Sequence, residues 1–310
     1  MIKQQHKMYN TPVLFLIFSR PDTTRLVFER IRRIRPAKLY VAADTAREGR
    51  PDEVLRCRET RAVIEEIDWP CELKTLYREK NLGCKVAVSE AITWFFEQEE
   101  YGVILEDDCL PDLSFFQFCE ELLLRYKDDE RVGHIGGNNF FPGIVKDTQS
   151  YDFCSFTHIW GWASWRRVWV NYRVDFPYWS EAQRDKTKRK SLFLNLRDEI
   201  YFSSFISDAL KGKSGINTWD VQYLLTLRTQ NQLSIYPAVN MVSNIGLDSP
   251  NATHTANSRK NKTAYVEASP VSFPLSHPQY ILPNDEIDRM TSNKKFFSYK
   301  RLVRYFLKRY

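Results

Sequence analysis

Three adjacent carboxylates, Glu106, Asp107 and Asp108, follow the apolar run Val103-Ile-Leu105 in the stretch GVILEDDCLPD. Like charges this close repel, and the end of a buried strand solvates them poorly, so each is driven toward its neutral form unless a partner supplies positive charge. A divalent cation together with a diphosphate is such a partner. Mg²⁺ and Mn²⁺ take hard oxygen ligands, typically one or two carboxylates plus phosphate oxygens. Strand alternation sends neighbouring side chains in different directions. Asp108, furthest from the strand, is therefore the metal-ligand candidate, with Glu106 and Asp107 left to face sugar or ribose hydroxyls. The structural alternative is an acidic turn capping the next helix, a place Asp112 fills better.

A second carboxylate of interest is Asp220 in INTWDVQYLL. A carboxylate beside Trp219 suits the task of a general base that takes the proton of a hydroxyl. Capping the helix that follows is its competing role, and Asp208 is the weaker candidate for the base.

The elements that must hold these groups are legible in the first half of the chain. Val13–Phe18 reads as a buried strand, and Pro21-Asp22 opens a helix in which Val27, Ile31 and Ile34 recur at helical spacing. KLYVAAD, ELKTLYR and VILEDD read as strands two to four, with PDEVLRCRETRAVIEEI and NLGCKVAVSEAITWFF as the intervening helices, and VGHIGGNN is a fifth strand. This alternation predicts an α/β fold, a mixed but mostly parallel sheet flanked by helices. Ligands of such sheets bind beyond the carboxyl ends of the strands. Ser19, Arg20, Asp44, Arg78 and the Glu106–Asp108 run all fall there.

From Gly137 to His254 the sequence is aromatic and irregular. Trp162, Trp165 and Trp169 recur at i, i+3, i+7 and suggest a helical stripe that belongs mostly to the core, with Trp162 also able to wall a sugar ring. Residues 257–293, rich in Pro, Ser and Asn, read as a wrapping segment.

VILEDDC resembles the D-x-D motif of nucleotide-sugar glycosyltransferases of the GT-A (Rossmann-like) fold. NLGCKVAVSEAI before it, and GWASWRRVW, TWDVQ and NIGLDSPNATHT after it, resemble other segments of the same family in the same order. The likeness is to bacterial sugar transferases and, more loosely, to N-acetylglucosaminyltransferase I. It covers roughly residues 11–256, implying a glycosyltransferase domain over 1–256 (a nucleotide-sugar half at 11–135, an acceptor half at 136–256) and an appended 257–310. The resemblance implies that Asp108 and His254, in NATHT, hold Mn²⁺ or Mg²⁺. It further implies that Ser19, Arg20, Asp44, Arg78, Asn81 and Gly83 border the nucleotide, and that Asp220 is the base. Some relatives carry two consecutive carboxylates at that point, whereas Val221 follows Asp220 here. The expected donor is a UDP-sugar, UDP-GlcNAc by the looser likeness, and the acceptor a glycan or lipid-linked saccharide of surface polysaccharide synthesis. A sugar nucleotidyltransferase is the alternative enzyme, although FSRPDTT lacks the Gly-rich phosphate loop such enzymes carry after the first strand.

The net charge of +6 is unevenly placed. From Asn257 onward eleven Lys and Arg face four acids, a net of +7, which leaves −1 for residues 1–256. A nucleic-acid-binding body would be basic, so that class is disfavoured. Residues 294–310 hold seven cations and no acid, with Phe296, Tyr299, Val303, Phe306 and Tyr310 spaced 3, 4, 3, 4. That pattern fits a basic amphipathic helix on an anionic membrane surface; packing back on the body is the competing arrangement. Six apolar residues at Val13–Phe18 are too few to span a bilayer. Cysteines 57, 71, 84, 109, 119 and 154 show no paired spacing. A cytoplasmic protein with reduced thiols, docking at the inner face of the membrane, is the expectation, and the sequons at Asn251 and Asn261 are then chance matches.

Overall fold

The computed structural model describes residues 8–210, 217–246 and 266–296, together with Val303 and Leu307. Strand β1 (Val13–Ile17) is buried at every position, as an all-apolar run covered on both faces must be. Pro21 occupies the first position of α1 (Pro21–Ile34), where its missing N–H is no loss, and Val27, Phe28 and Ile31 turn inward. The same alternation yields β2 (Lys38–Ala43), α2 (Pro51–Ala62), β3 (Glu72–Tyr77), α3 (Gly83–Gln98) and β4 (Tyr101–Glu106). These four strands pair in parallel in the order β3-β2-β1-β4, so their carboxyl ends share one edge.

Next come β5 (Cys109–Pro111), α4 (Ser114–Arg125), β6 (Val132–Gly136), β7 (Tyr151–Cys154) and β8 (Trp162–Trp165). Helices α5 (Arg166–Trp169), α6 (Tyr178–Arg184), α7 (Lys186–Ser191), α8 (Leu196–Leu210) and α9 (Asp220–Thr229) follow, then β9 (Leu233–Pro237), β10 (Val242–Asn244) and α10 (Asp285–Phe296). The main sheet has eight strands ordered β3-β2-β1-β4-β8-β6-β9-β7. Strands β7 and β8 run against the other six. This is the Rossmann-like, mostly parallel mixed sheet expected from the alternation, and it crosses the expected division at 135/136 without a break. A two-stranded ribbon, β5 with β10, lies apart from it.

Two expectations give way. Trp162 and Trp165 do not lie on a helix with Trp169. Trp162–Trp165 is strand β8, fully buried between β4 and β6, and α5 begins only at Arg166. A strand covered on both faces has no polar alternation to betray it, so three tryptophans can mimic a helical stripe. Residues 257–293 are not wholly irregular either. Helix α10 occupies their end and docks through Asn284, which donates to Asp152 at 2.8 Å, and Asp288, which accepts from the Ser155 amide at 2.8 Å.

All six cysteines are free, four of them buried. Among the described residues no helix is long and apolar enough to cross a membrane. Of the basic tail, the described positions are the backbone of 294–296 in α10 and the helical, exposed Val303 and Leu307. The amphipathic arrangement expected there, the two sequons and His254 lie outside the described residues.

Candidate functional site

A cavity of about 430 Å³ opens at the carboxyl ends of β1, β2, β3 and β4, against the first turns of α3. Leu16, Ala42, Leu76, Ala87, Val88 and Ala91 form its apolar depth, while Arg20, Arg78, Asn81, Glu106 and Asp107 stand among its polar lining residues. The small side chains matter because alanine leaves room where the strand ends meet α3. Arg20, Asp44, Arg78, Asn81, Gly83, Glu106 and Asp107 of the sequence-derived set therefore line one space. Ser19 is buried, and among the described residues it is not part of that lining.

The geometry of the acidic run is specific. β4 ends at Glu106, and Asp107 and Asp108 form the turn into β5. Arg20 sets one nitrogen on each aspartate: Nη1 lies 2.6 Å from Asp108 Oδ2 and Nη2 lies 3.2 Å from Asp107 Oδ1. Asp107 accepts a further bond, 3.1 Å, from the Phe18 amide through Oδ2, so it also fastens the end of β1. Burial opposes the charge of Arg20, yet Asp107 and Asp108 overcome it and hold the guanidinium firmly protonated. Burial pushes the Glu106 carboxyl up, and the neighbouring Asp108 and Asp107 push it further. Burial likewise raises Asp107, against the pull of Arg20. Glu106 is half-buried and, among the described residues, has no hydrogen-bond or ion-pair partner.

The second and third strand ends are tied by one turn. Asp44 accepts from the backbone N–H groups of Leu82 (3.0 Å) and Gly83 (3.0 Å), at the N-terminus of α3 where a carboxylate is favoured. Asn81 donates to the Thr45 carbonyl at 2.5 Å. Gly83 sits at φ +74° and packs against Asn217, so a side chain there is excluded twice over. Asp44 thus spends its carboxylate on building the wall. Arg78 pairs with Glu90 at 2.8 Å.

Asn217 was not anticipated. It lines the cavity, accepts from the Lys85 amide at 3.0 Å, and belongs to the strand-less stretch just before α9. The one signal available was its position three residues before Asp220. That contact brings the start of α9 to the cavity mouth. Asp220 is half-buried there, accepts the Thr218 hydroxyl, and its charge reaches Glu106 and Cys84. Burial, then Glu106 and Asp220, raise the Cys84 thiol to about 12, so it lines the cavity as an inert group.

Trp162 does not wall this cavity. It is 0% exposed, stacked between Trp219 (5.6 Å between centroids) and His134 (5.4 Å). Its role is to seat Trp219, the residue before Asp220. His134 is a core imidazole: burial lowers it to about 3, against the bond from its Nε2 to the His158 carbonyl. The side chain of Asp208 lies outside those described.

Among the described residues no three His, Cys, Asp or Glu side chains converge as a metal cage. Asp108 nevertheless keeps Oδ1 outside its pair with Arg20, carrying only a weak thiol contact from Cys109 at 3.6 Å among the described residues. One such oxygen with phosphate oxygens is a donor set Mg²⁺ and Mn²⁺ accept. The residues fit a cation that arrives with a diphosphate better than one caged by the protein alone.

No protein-family model matches the sequence, and no curated protein matches it. Solved structures similar to part of it include HddC from Yersinia pseudotuberculosis, with 8% identity and a TM-score of 0.32 over 52% of this chain and 80% of that one. The same protein complexed with GMP-PN gives 10% identity, a TM-score of 0.32 and the same coverage. The inositol-1-phosphate CTP transferase from T. maritima gives 9% identity and a TM-score of 0.31 over 52% of this chain and 73% of that one.

Proposed function

We propose that the protein transfers a sugar from a nucleoside diphosphate sugar, a UDP-sugar in the first instance, to a glycan or lipid-linked acceptor. One observation carries this reading. A single cavity joins an apolar depth suited to a base and ribose with a mouth of Arg20, Arg78, Glu106 and Asp107, and Asp220 is presented beside it from the other half of the sheet. In that reading Arg20 and Arg78 meet the pyrophosphate, and Glu106 accepts hydroxyls of the sugar or ribose. The acceptor oxygen attacks the anomeric carbon and the bond from that carbon to the β-phosphate oxygen breaks. The electron pair leaves with the nucleoside diphosphate, and the proton goes to Asp220. A divalent ion held by Asp108, with His254 as the expected further ligand, would supply positive charge to the departing diphosphate. The basic residues of 294–310 would bring the protein to an anionic membrane surface where lipid-carried acceptors reside.

Thermal stabilisation by UDP-, GDP- and dTDP-sugars, each with and without Mn²⁺, tests the reading, because a ligand bound to the native state raises apparent stability by mass action. A UDP-sugar is expected to stabilise most, and Asp108→Ala is expected to abolish the Mn²⁺-dependent part of the shift. Absence of any shift removes the nucleotide-sugar reading. Release of pyrophosphate from a nucleoside triphosphate and a sugar 1-phosphate would instead assign the alternative, nucleotidyl transfer.

A further inference from the structure

The two carboxylates that a divalent ion would approach already share one cation supplied by the protein. Arg20 places one nitrogen on Asp108 at 2.6 Å and the other on Asp107 at 3.2 Å, a fork geometry that lysine's point charge does not reproduce. The guanidinium is confined from behind as well. Gly246 packs so closely on Asp108 Oδ2 and Arg20 Nη1 that a Cβ there would overlap both atoms, and the Ile245 amide donates to the Asp108 carbonyl at 2.8 Å. Arg20 is about one-fifth exposed, at the edge where the cavity opens. A second cation brought to Asp108 Oδ1 would therefore meet a positive charge already seated on the other oxygen of the same carboxylate.

Resting on the nucleotide reading above, we infer that Arg20 is the resident counter-cation of Asp107 and Asp108, and that a divalent ion gains Asp108 only when a pyrophosphate takes the guanidinium. The divalent ion then binds with the nucleotide or after it, never ahead of it. The exchange is chemically even-handed, because a phosphate accepts the same bidentate fork from arginine that carboxylates do. Removing the guanidinium should leave two adjacent carboxylates without compensation beside Glu106, which is the situation a free divalent ion relieves.

Mn²⁺ itself is the probe, with free ion measured by electron paramagnetic resonance, a readout that needs no turnover. The wild-type protein alone is expected to take up no stoichiometric Mn²⁺ at micromolar ion, and to take up one ion when UDP is added. Arg20→Gln alone is expected to bind one Mn²⁺ about tenfold or more tightly than wild type alone, since a charge neighbour at this distance shifts proton affinity of a carboxylate by a comparable factor. Asp108→Asn in the Arg20→Gln background should remove that gain. One tight ion in wild type without nucleotide, or an Arg20→Gln protein that melts normally and binds Mn²⁺ no better than wild type, overturns the inference. If Arg20→Gln does not fold, Arg20→Met, which keeps the aliphatic stem and removes the charge, decides: Mn²⁺ affinity above wild type supports the counter-cation, equality refutes it. Failure of UDP to bind would sink the nucleotide reading, and the nucleotide-free comparison of Arg20→Gln with wild type would still decide the counter-cation.

Discussion

The two halves of the sheet are built from different materials and contribute differently to the site. The first, β3-β2-β1-β4, is in parallel register, with α1, α2 and α3 following β1, β2 and β3, and its carboxyl ends together with α3 supply nearly the whole cavity. The second, β8-β6-β9-β7, is packed by rings: Trp162, Trp169, Tyr172, Trp219 and Tyr223 stack on one another, with Trp169 and Tyr172 only 4.3 Å apart between centroids. Its polar contribution at the cavity is Asn217, with Asp220 beside it. Parallel strands make a rim by construction, because their ends must align. The aromatic half instead makes a rigid mount, and what it mounts is the start of α9. In the proposed enzyme, binding would depend on the first half and chemistry on the second.

That division can be broken by experiment. The largest effect should come from Trp162→Ala, which empties a fully buried site in the aromatic half and is expected to cost about 3–5 kcal/mol of stability in denaturant titration. A cost under about 1 kcal/mol would mean that the ring stack is not the mount described here. Asp220→Asn should leave donor binding unchanged, as read by thermal shift, and lower transfer by about 10²–10⁴-fold, the range general-base catalysis contributes. Near-normal turnover would remove Asp220 as base, and lost donor binding would erase the distinction between the halves. The smallest effect concerns His134. The folded protein keeps its ring neutral down to about pH 3, whereas the unfolded chain takes a proton near its ordinary value of 6.5. The unfolded state therefore binds more protons between those values, and stability contributed by the neutral ring is lost as pH falls through that window. From pH 7 to pH 5 the loss should be about 2 kcal/mol, at roughly 1.4 kcal/mol per pH unit below 6.5. Glu106 and Asp107, whose carboxyls are raised, work in the opposite sense. The informative quantity is thus the difference between the two proteins: relative to wild type, His134→Gln should gain about 2 kcal/mol of stability between pH 7 and pH 5.

Legibility in the sequence follows the same boundary. β1 through β4 and α1 through α3 are visible because apolar runs and helical repeats each report on their own local surroundings. Arg20, Asp44, Arg78 and the acidic run could be placed together from strand ends alone. The hidden part is what those side chains do to one another. Nothing local in FSRPD says that Arg20 forks onto Asp107 and Asp108, eighty-seven and eighty-eight positions later, or that Asp44 is consumed by the amides of Leu82 and Gly83. In the aromatic half even the element type was obscured. Trp162-Ala-Ser-Trp165 lies between two strands, so every position is apolar or shielded, and periodicity carries no information about which element it is.

The ribbon of β5 and β10 has a consequence for the chain beyond it. Val242–Asn244 pairs with Cys109–Pro111, and the main chain passes over Asp108 at Ile245 and Gly246. It comes back at Val266, whose carbonyl accepts from Asn240 (2.8 Å) and from Ser243 (3.1 Å) in β10. The described chain on either side of 247–265 is therefore moored to the ribbon that borders the carboxylates. Loss of the Asn240 and Ser243 bonds would loosen the chain at Val266 while leaving the β5–β10 pairing beside Asp108 in place.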